Sequence, residues 1–142
     1  RSGKPVDSLK ATCVGLVELL RTSDIVSMHC PLPPETRHLL GARELALMPQ
    51  NAVLINTARG PIIDENALLE HVVKFPDFQV GLDVYENEPR VDPRLVALSN
   101  VIALPHIGSA ERGAREAIAK ICVEEAIAFA KGMPLRYEYK DA

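Results

Sequence analysis

Polar residues follow several apolar runs of this sequence at the points where each run ends. Arg59 stands in NTARG, several acids (Asp83, Glu86 and Glu88) in DVYENEP, and His106 in LPHIGSA, each at or shortly after the end of an apolar run. An arginine fork can bind a carboxylate, and a histidine can exchange a proton near neutral pH. Together they form a set that could bind an anionic carbonyl substrate and transfer a proton to it.

The apolar runs themselves predict strands. Four β-rich runs stand at 25–30, 52–56, 79–84 and 101–104. Two of them lack polar alternation, which is typical of strands covered on both faces. Helical patterns lie between and around the runs, at 8–21, 42–48, 64–74 and 110–131. We expect Ser109 to cap the last helix and Gly132 to end it.

This alternation of strands and helices predicts an α/β fold with a doubly wound parallel sheet. In such sheets, ligands bind beyond the carboxyl ends of the strands, where the polar residues above are expected to meet. The remaining histidines are predicted to have no functional role. We expect His38 and His71 on helix surfaces and His29 at the end of a strand. Apolar residues of the long helix, such as Ile118, Ile121 and Phe129, are expected in a core or an interface.

Composition narrows the class of protein. The 142 residues carry a net charge of −3 without basic blocks, which argues against nucleic acid or an acidic membrane as a partner. No segment approaches the roughly 20 apolar residues of a membrane span. Cys13, Cys30 and Cys122 form no CxxC pair, which favours reduced thiols in the cytoplasm over a disulfide or a metal site.

Four segments resemble a known family when taken in order. They are HCPLPPETRHLL, LINTARGPIIDENALLEHV, GLDVYENEP and NVIALPHIGSA, and they lie within residues 22–131. Together they resemble the NAD(P)-binding, Rossmann-like domain of the D-isomer-specific 2-hydroxyacid dehydrogenases. Within that family, the residues LPHIGSA are most similar to those of the glyoxylate/hydroxypyruvate reductases. The resemblance implies an oxidoreductase that moves a hydride between NAD(P)H and a small 2-keto or 2-hydroxy acid. It also implies a homodimer.

The resemblance assigns roles to individual residues. It makes Arg59 the substrate-binding arginine, His106 the acid/base, and Glu88, rather than Glu86, the carboxylate that orients His106. Asp83 would lie near the nicotinamide. The full set of implied cofactor contacts is Arg1, Ser2, Cys30, Pro31, Thr57, Ala58, Arg59, Asp83, His106, Gly108 and Ser109.

A glycine-rich phosphate loop is missing from the sequence. No two of the eight glycines are separated by a single residue, so no G-x-G-x-x-G occurs. The resemblance therefore implies that residues 1–142 are the C-terminal portion of a dinucleotide-binding domain. The half of that domain that carries G-x-G-x-x-G would lie outside this chain, and so would the substrate domain. The chain alone would therefore be inactive. Arg1 and Ser2 would meet the adenosine ribose and favour NADP over NAD.

Two other functions stay open. Corepressors with the same fold sense dinucleotides and act as scaffolds for partner proteins; they resemble PHAAW where this sequence has PHIGSA, which favours the metabolic branch. The chain could also be a partial domain without catalysis. The residues that precede Arg1 in the gene would distinguish these cases.

Overall fold

The computed structural model describes residues 11–137, which form four strands and five α-helices. The chain divides into two units, Arg1–His106 and Ile107–Ala142. The strands are β1 (Ile25–Met28), β2 (Val53–Asn56), β3 (Gln79–Leu82) and β4 (Val101–Ala103). The helices are α1 (Leu16–Thr22), α2 (Ala42–Leu45), α3 (Glu65–Lys74), α4 (Pro93–Val96) and α5 (Arg112–Ala130). The predicted α/β class is confirmed.

All four strands run parallel in the order β1-β2-β3-β4. One row of paired residues crosses the sheet at its carboxyl edge: Met28, Asn56, Leu82 and Ala103. The strands therefore end side by side, and the residues that follow them leave the sheet along one edge. Each strand is one or two residues shorter than its predicted run.

The core of the first unit lies on one face of the sheet. Val26, Leu54 and Val80 are buried, whereas Ile25 and Ile102 are 63% and 68% exposed. Successive side chains of a strand point to opposite faces, so burial alternates along the strands. Within the described residues of the first unit, taken by itself, the strands are therefore buried on one face only.

Helix α1 begins later than the pattern predicts. Residues 11–15 are not helical, residues 8–10 lie outside the described residues, and Gly15 is the N-cap. Thr12 and Val14 are β-branched and Gly15 is a poor helix former, which accounts for the late start. Helix α2 is likewise shorter than predicted and ends at Leu45.

Helix α3 matches its predicted span. The Asp64 side chain accepts hydrogen bonds from the backbone N–H groups of Asn66 and Ala67, at 3.0 and 3.1 Å. The buried residues are Leu68, His71 and Val72. His71 lies one turn from Leu68 and shares its face. The prediction that His71 lies on the helix surface is wrong.

His71 is a buried histidine with an incomplete set of partners. Its ring lies 4.8 Å from the Phe75 ring and 4.6 Å from the Phe78 ring, centroid to centroid. Within residues 11–137, its Nε2 is a buried atom without a hydrogen-bond partner. Burial, with a smaller contribution from the Lys74 charge, lowers the pKa of His71 below its usual value.

Helix α5 of the second unit has a different cap from the predicted one. Glu111, not Ser109, is the N-cap, and its carboxylate accepts from the N–H groups of Gly113 and Ala114 at 2.9 and 2.8 Å. The negative charge of Glu111 also lies at the N-terminal, positive end of the helix dipole, where a carboxylate is stabilising. Gly132 follows the helix with φ 65°, as the predicted stop requires.

The apolar residues singled out on α5 are not in a core. Ile118, Ile121 and Phe129 are 53%, 39% and 76% exposed. Their place in an interface stays a prediction.

Within residues 11–137, no helix has the length and apolarity to cross a bilayer. The three cysteines are free thiols.

The environment of His71 predicts an acid-sensitive fold. Because the pKa of His71 is lower in the folded state, the unfolded state binds more protons below about pH 6.5. The free energy of unfolding should therefore fall as the pH drops through this range. Thermal unfolding from pH 7.5 down to about pH 5.5 should show a steeper loss of Tm in the wild type than in His71→Leu. Equal slopes would contradict this prediction.

Candidate active site

The carboxyl edge of the sheet carries the residues that the sequence singled out. His29 and Cys30 follow β1, Arg59 follows β2, Asp83 follows β3 and His106 follows β4. They occupy one edge because the four parallel strands end in register. This is the edge at which open parallel sheets bind their ligands.

A cavity of about 420 Å³ opens between the ends of β1 and β2. Its lining residues are His29, Cys30, Pro31, Leu32, Thr57, Ala58 and Arg59. Five of the predicted cofactor contacts therefore lie around one cavity. The structure brings these five together, and their binding role stays a prediction.

Asn56 shapes the turn that carries Arg59, a role the sequence analysis missed. Asn56 is 1% exposed, and its side chain donates to the Arg59 carbonyl at 2.9 Å and accepts from the Ala58 N–H at 3.1 Å. Among the described residues, the exposed Arg59 guanidinium bonds to the Ala58 carbonyl at 2.6 Å. An asparagine directly before a turn is the sequence signal for such a role.

Gly60 brings the turn after β2 against the loop after β3. A Cβ atom at Gly60 would lie 1.9 Å from both the carbonyl carbon and the oxygen of Tyr85. Only glycine permits this approach of two backbones. The Tyr85 hydroxyl in turn donates to the Leu104 carbonyl at 2.8 Å. Tyr85 therefore connects the loop after β3 to the end of β4, two residues before His106.

Glu88 and His106 form the central polar contact of this edge. His106 Nδ1 lies 2.8 Å from Glu88 Oε2, and the other carboxylate oxygen accepts from the Tyr85 N–H at 2.9 Å. Burial raises the pKa of Glu88, but the hydrogen bonds from His106 and Tyr85 outweigh it and leave that pKa below its usual value. An ionised carboxylate can only accept, so Nδ1 carries the proton of this bond. The Nε2 atom of His106 is then the nitrogen available to a substrate.

The backbone of His106 adopts an uncommon conformation. Its φ of 53° lies in the left-handed region, which residues other than glycine rarely enter. Such residues cluster at functional sites, where the surrounding contacts hold them in place. The His106 side chain stays 49% exposed, so it is open to a ligand while bound to Glu88.

Glu86 turns away from this pair. Its carboxylate oxygen Oε1 lies 2.7 Å from His38 Nε2 and 3.0 Å from Arg37 Nη2. His38 is not in a helix, so its predicted helix-surface position is wrong. The tight turn at residues 86–89 sends Glu86 and Glu88 to different partners.

Arg59 and Glu88 line different cavities. Glu88 lies in an open cleft of about 890 Å³ formed mainly by the segment after β3, whereas Arg59 lines the smaller cavity at β2. Within the part of the chain that the structure describes, Arg59 is not bonded to Glu88 or His106. Their backbones are nevertheless linked through the contact of Gly60 with Tyr85.

Five further cofactor contacts were predicted from the sequence. Asp83 is 4% exposed, and its N–H donates to the Asn56 carbonyl at 3.0 Å. Gly108 and Ser109 belong to the second unit. Arg1 and Ser2 lie outside the described residues. The cofactor roles of all five stay predictions.

Comparison with known proteins identifies the family. Residues 1–108 match the profile of the D-isomer specific 2-hydroxyacid dehydrogenase, NAD binding domain. The chain belongs to the D-isomer specific 2-hydroxyacid dehydrogenases. The predicted resemblance is confirmed.

Curated relatives and solved structures agree with this family. A glyoxylate reductase of Thermococcus litoralis is 45% identical over 134 residues, which is 93% of this chain and 40% of the relative. A peroxisomal glycerate dehydrogenase of Arabidopsis thaliana is 42% identical over 85% of this chain and 31% of its own length. The crystal structure of the TT0316 protein of Thermus thermophilus superposes with a TM-score of 0.88 at 40% identity, covering 96% of this chain and 43% of that one. The chain thus spans less than half the length of these relatives.

The close approach at Gly60 predicts a sharp effect of one added methyl group. Gly60→Ala should lower the free energy of unfolding by about 1–3 kcal/mol, because the Cβ would overlap the Tyr85 backbone. The control is Gly81→Ala, whose Cβ would meet Ile55 at an ordinary 3.9 Å. Chemical denaturation measures both, and equal stability of the two variants would contradict the account of this contact.

Proposed function

We propose that the full-length protein containing this chain reduces a small 2-keto acid, such as glyoxylate or hydroxypyruvate, with NADH or NADPH. The observation that carries the proposal is the bond from His106 Nδ1 to Glu88 at the exposed end of β4. Membership of the family and the names of the relatives support it.

The cavity at the ends of β1 and β2 suits part of a dinucleotide. It lies at the carboxyl edge, it is lined by backbone turns and by the exposed Arg59, and it measures about 420 Å³. Cys30, Thr57 and Ala58 would hold the cofactor from this side. When bound, the reduced nicotinamide would supply the hydride that the keto carbon accepts.

His106 would supply the proton. In the reducing direction its imidazolium form donates the Nε2 proton to the carbonyl oxygen as the carbonyl carbon gains hydride. The products are the 2-hydroxy acid, the oxidised cofactor and neutral His106. Glu88 holds Nδ1–H throughout, which fixes the orientation of the ring.

Arg59 would bind the substrate. Its guanidinium is exposed, and the Ala58 carbonyl occupies only one of its nitrogen atoms among the described contacts. The other N–H groups can pair with a carboxylate in fork geometry and polarise the adjacent carbonyl. This role requires the substrate to lie between Arg59 and His106 Nε2.

The test is turnover by the full-length enzyme. We expect oxidation of NADH or NADPH with glyoxylate or hydroxypyruvate, and NADPH as the better cofactor if Arg1 and Ser2 meet the ribose phosphate. His106→Gln should lower kcat at least about 100-fold while cofactor binding stays near wild type. The control is Lys120→Gln, on the exposed surface of α5, which should not change turnover.

Two results would contradict the proposal. Near-normal turnover by His106→Gln would exclude His106 as the donor. A wild-type enzyme that binds NADH but reduces no 2-keto acid would refute the oxidoreductase function and favour a dinucleotide-sensing scaffold.

The pH dependence of the reaction tests Glu88. Reduction consumes a proton, so its rate should fall as the pH rises. Removing the Glu88 charge in Glu88→Gln should move this decline to lower pH. Because the bonds from His106 and Tyr85 hold the pKa of Glu88 below its usual value, its own protonation should not produce a limb near neutral pH. Profiles of kcat/KM against pH measure this shift. Coincident profiles of the wild type and Glu88→Gln would show that Glu88 does not influence proton donation by His106.

A further inference from the structure

Glu86 joins three segments that are far apart in sequence. Its Oε1 accepts from Arg37 and His38, in the turn that follows β1. Its Oε2 accepts from the backbone N–H of Glu65 at 3.5 Å, and its own N–H donates to the Glu65 carboxylate. The turn after β1, the start of α3 and the loop after β3 therefore meet at one side chain.

The local structure is arranged around this carboxylate. The Glu86 side chain is 13% exposed, so it sits among its partners rather than in solvent. His38 reaches it from a left-handed backbone conformation, with φ 49°. A residue other than glycine enters that region rarely, so neighbouring contacts must hold the turn. Burial, followed by repulsion from the Glu86 charge, keeps the pKa of Glu65 above its usual value despite the bond from the Glu86 N–H.

The same loop carries Glu88. Residues 86–89 form a tight turn, and the Tyr85 N–H donates to the Glu88 carboxylate. The turn is thus held from one end by the bonds of Glu86 and from the other by the bond of Glu88 to His106. Movement of Glu86 away from Arg37 and His38 would rotate the turn and carry Glu88 with it.

We propose that Glu86, held by Arg37 and His38, is a positioning residue that keeps Glu88 against His106. This inference rests on the proposed function, because it assigns Glu86 a part in the same proton transfer. Glu86 touches neither the substrate nor the transferred proton. It acts through the position of Glu88.

The ion pairs of Glu86 are suited to positioning rather than to stability. The side chains of Arg37 and His38 are 56% and 39% exposed, and partly exposed pairs of this kind add little to stability. Their geometric effect is larger, because a small displacement of a catalytic group costs much of the rate. Variants of Glu86 should therefore fold and be kinetically impaired.

A double-mutant cycle in the full-length enzyme tests the proposal. Glu86→Ala should lower kcat about tenfold with little change in KM, and should move the alkaline decline of the rate in the same direction as Glu88→Gln. The double variant Glu86→Ala/Glu88→Gln should be no slower than Glu88→Gln alone, because Glu86 acts only through Glu88. The control Arg94→Gln breaks the nearby exposed pair with Asp92 and should leave kcat unchanged.

Several outcomes would overturn the inference. One is an unchanged kcat and pH profile in a folded Glu86→Ala variant. Another is a double variant whose loss of kcat equals the product of the losses in the two single variants. If Glu86→Ala does not fold, Arg37→Gln removes one partner and should show the same shift of the pH profile in weaker form; an unchanged profile would contradict the proposal.

A crystal structure separates this inference from the proposed function. In Glu86→Ala, the distance from Glu88 to His106 Nδ1 should exceed the 2.8 Å of the wild type and leave hydrogen-bond range. Retention of that bond would overturn the positioning role. Absence of 2-keto acid reduction in the wild type would overturn only the function.

Discussion

The hydrogen bond between Glu88 and His106 is the contact on which the rest of the site depends. A half-exposed carboxylate would ordinarily be surrounded by water, yet Glu88 divides its two oxygens between the Tyr85 N–H and His106 Nδ1. These bonds lower its pKa against the opposing effect of burial and keep it ionised. Its ionised form assigns the His106 proton to Nδ1 and leaves Nε2 to the substrate.

The parallel sheet makes this bond possible. Four strands end in one row, so a loop after β3 and a loop after β4 start side by side. Tyr85 fixes their separation through the Leu104 carbonyl, and Gly60 lets the neighbouring turn close over the Tyr85 backbone. The Arg59 turn, the Glu88 turn and the His106 turn are therefore linked through backbone contacts. Arg59, Glu88 and His106 lie on separate turns of this edge.

Much of this arrangement could be predicted from the sequence, and the failures have physical causes. The parallel sheet and its polar carboxyl edge could be predicted, because apolar runs alternate with helical patterns and polar residues follow the runs. The N-cap of α5 could not be predicted from the sequence, because the side chains of Ser109 and Glu111 can both accept hydrogen bonds from the first backbone N–H groups. The folded structure uses Glu111. The sequence predicts a surface position for His71 because histidine is a polar residue. Its position one turn from Leu68 nevertheless puts it in the core. The different partners of Glu86 and Glu88 could not be predicted, because Arg37 and His38, which contact Glu86, lie nearly fifty residues away in the sequence.

The central claim is that Glu88 holds the Nδ1 proton of His106 and leaves Nε2 for the substrate. The most direct measurement is heteronuclear NMR of the His106 ring nitrogens in the full-length enzyme across its titration. The account predicts that the neutral ring keeps its proton on Nδ1, bonded to Glu88, while Nε2 gains and loses the exchangeable proton. A neutral ring protonated on Nε2, with Nδ1 bare, would contradict it.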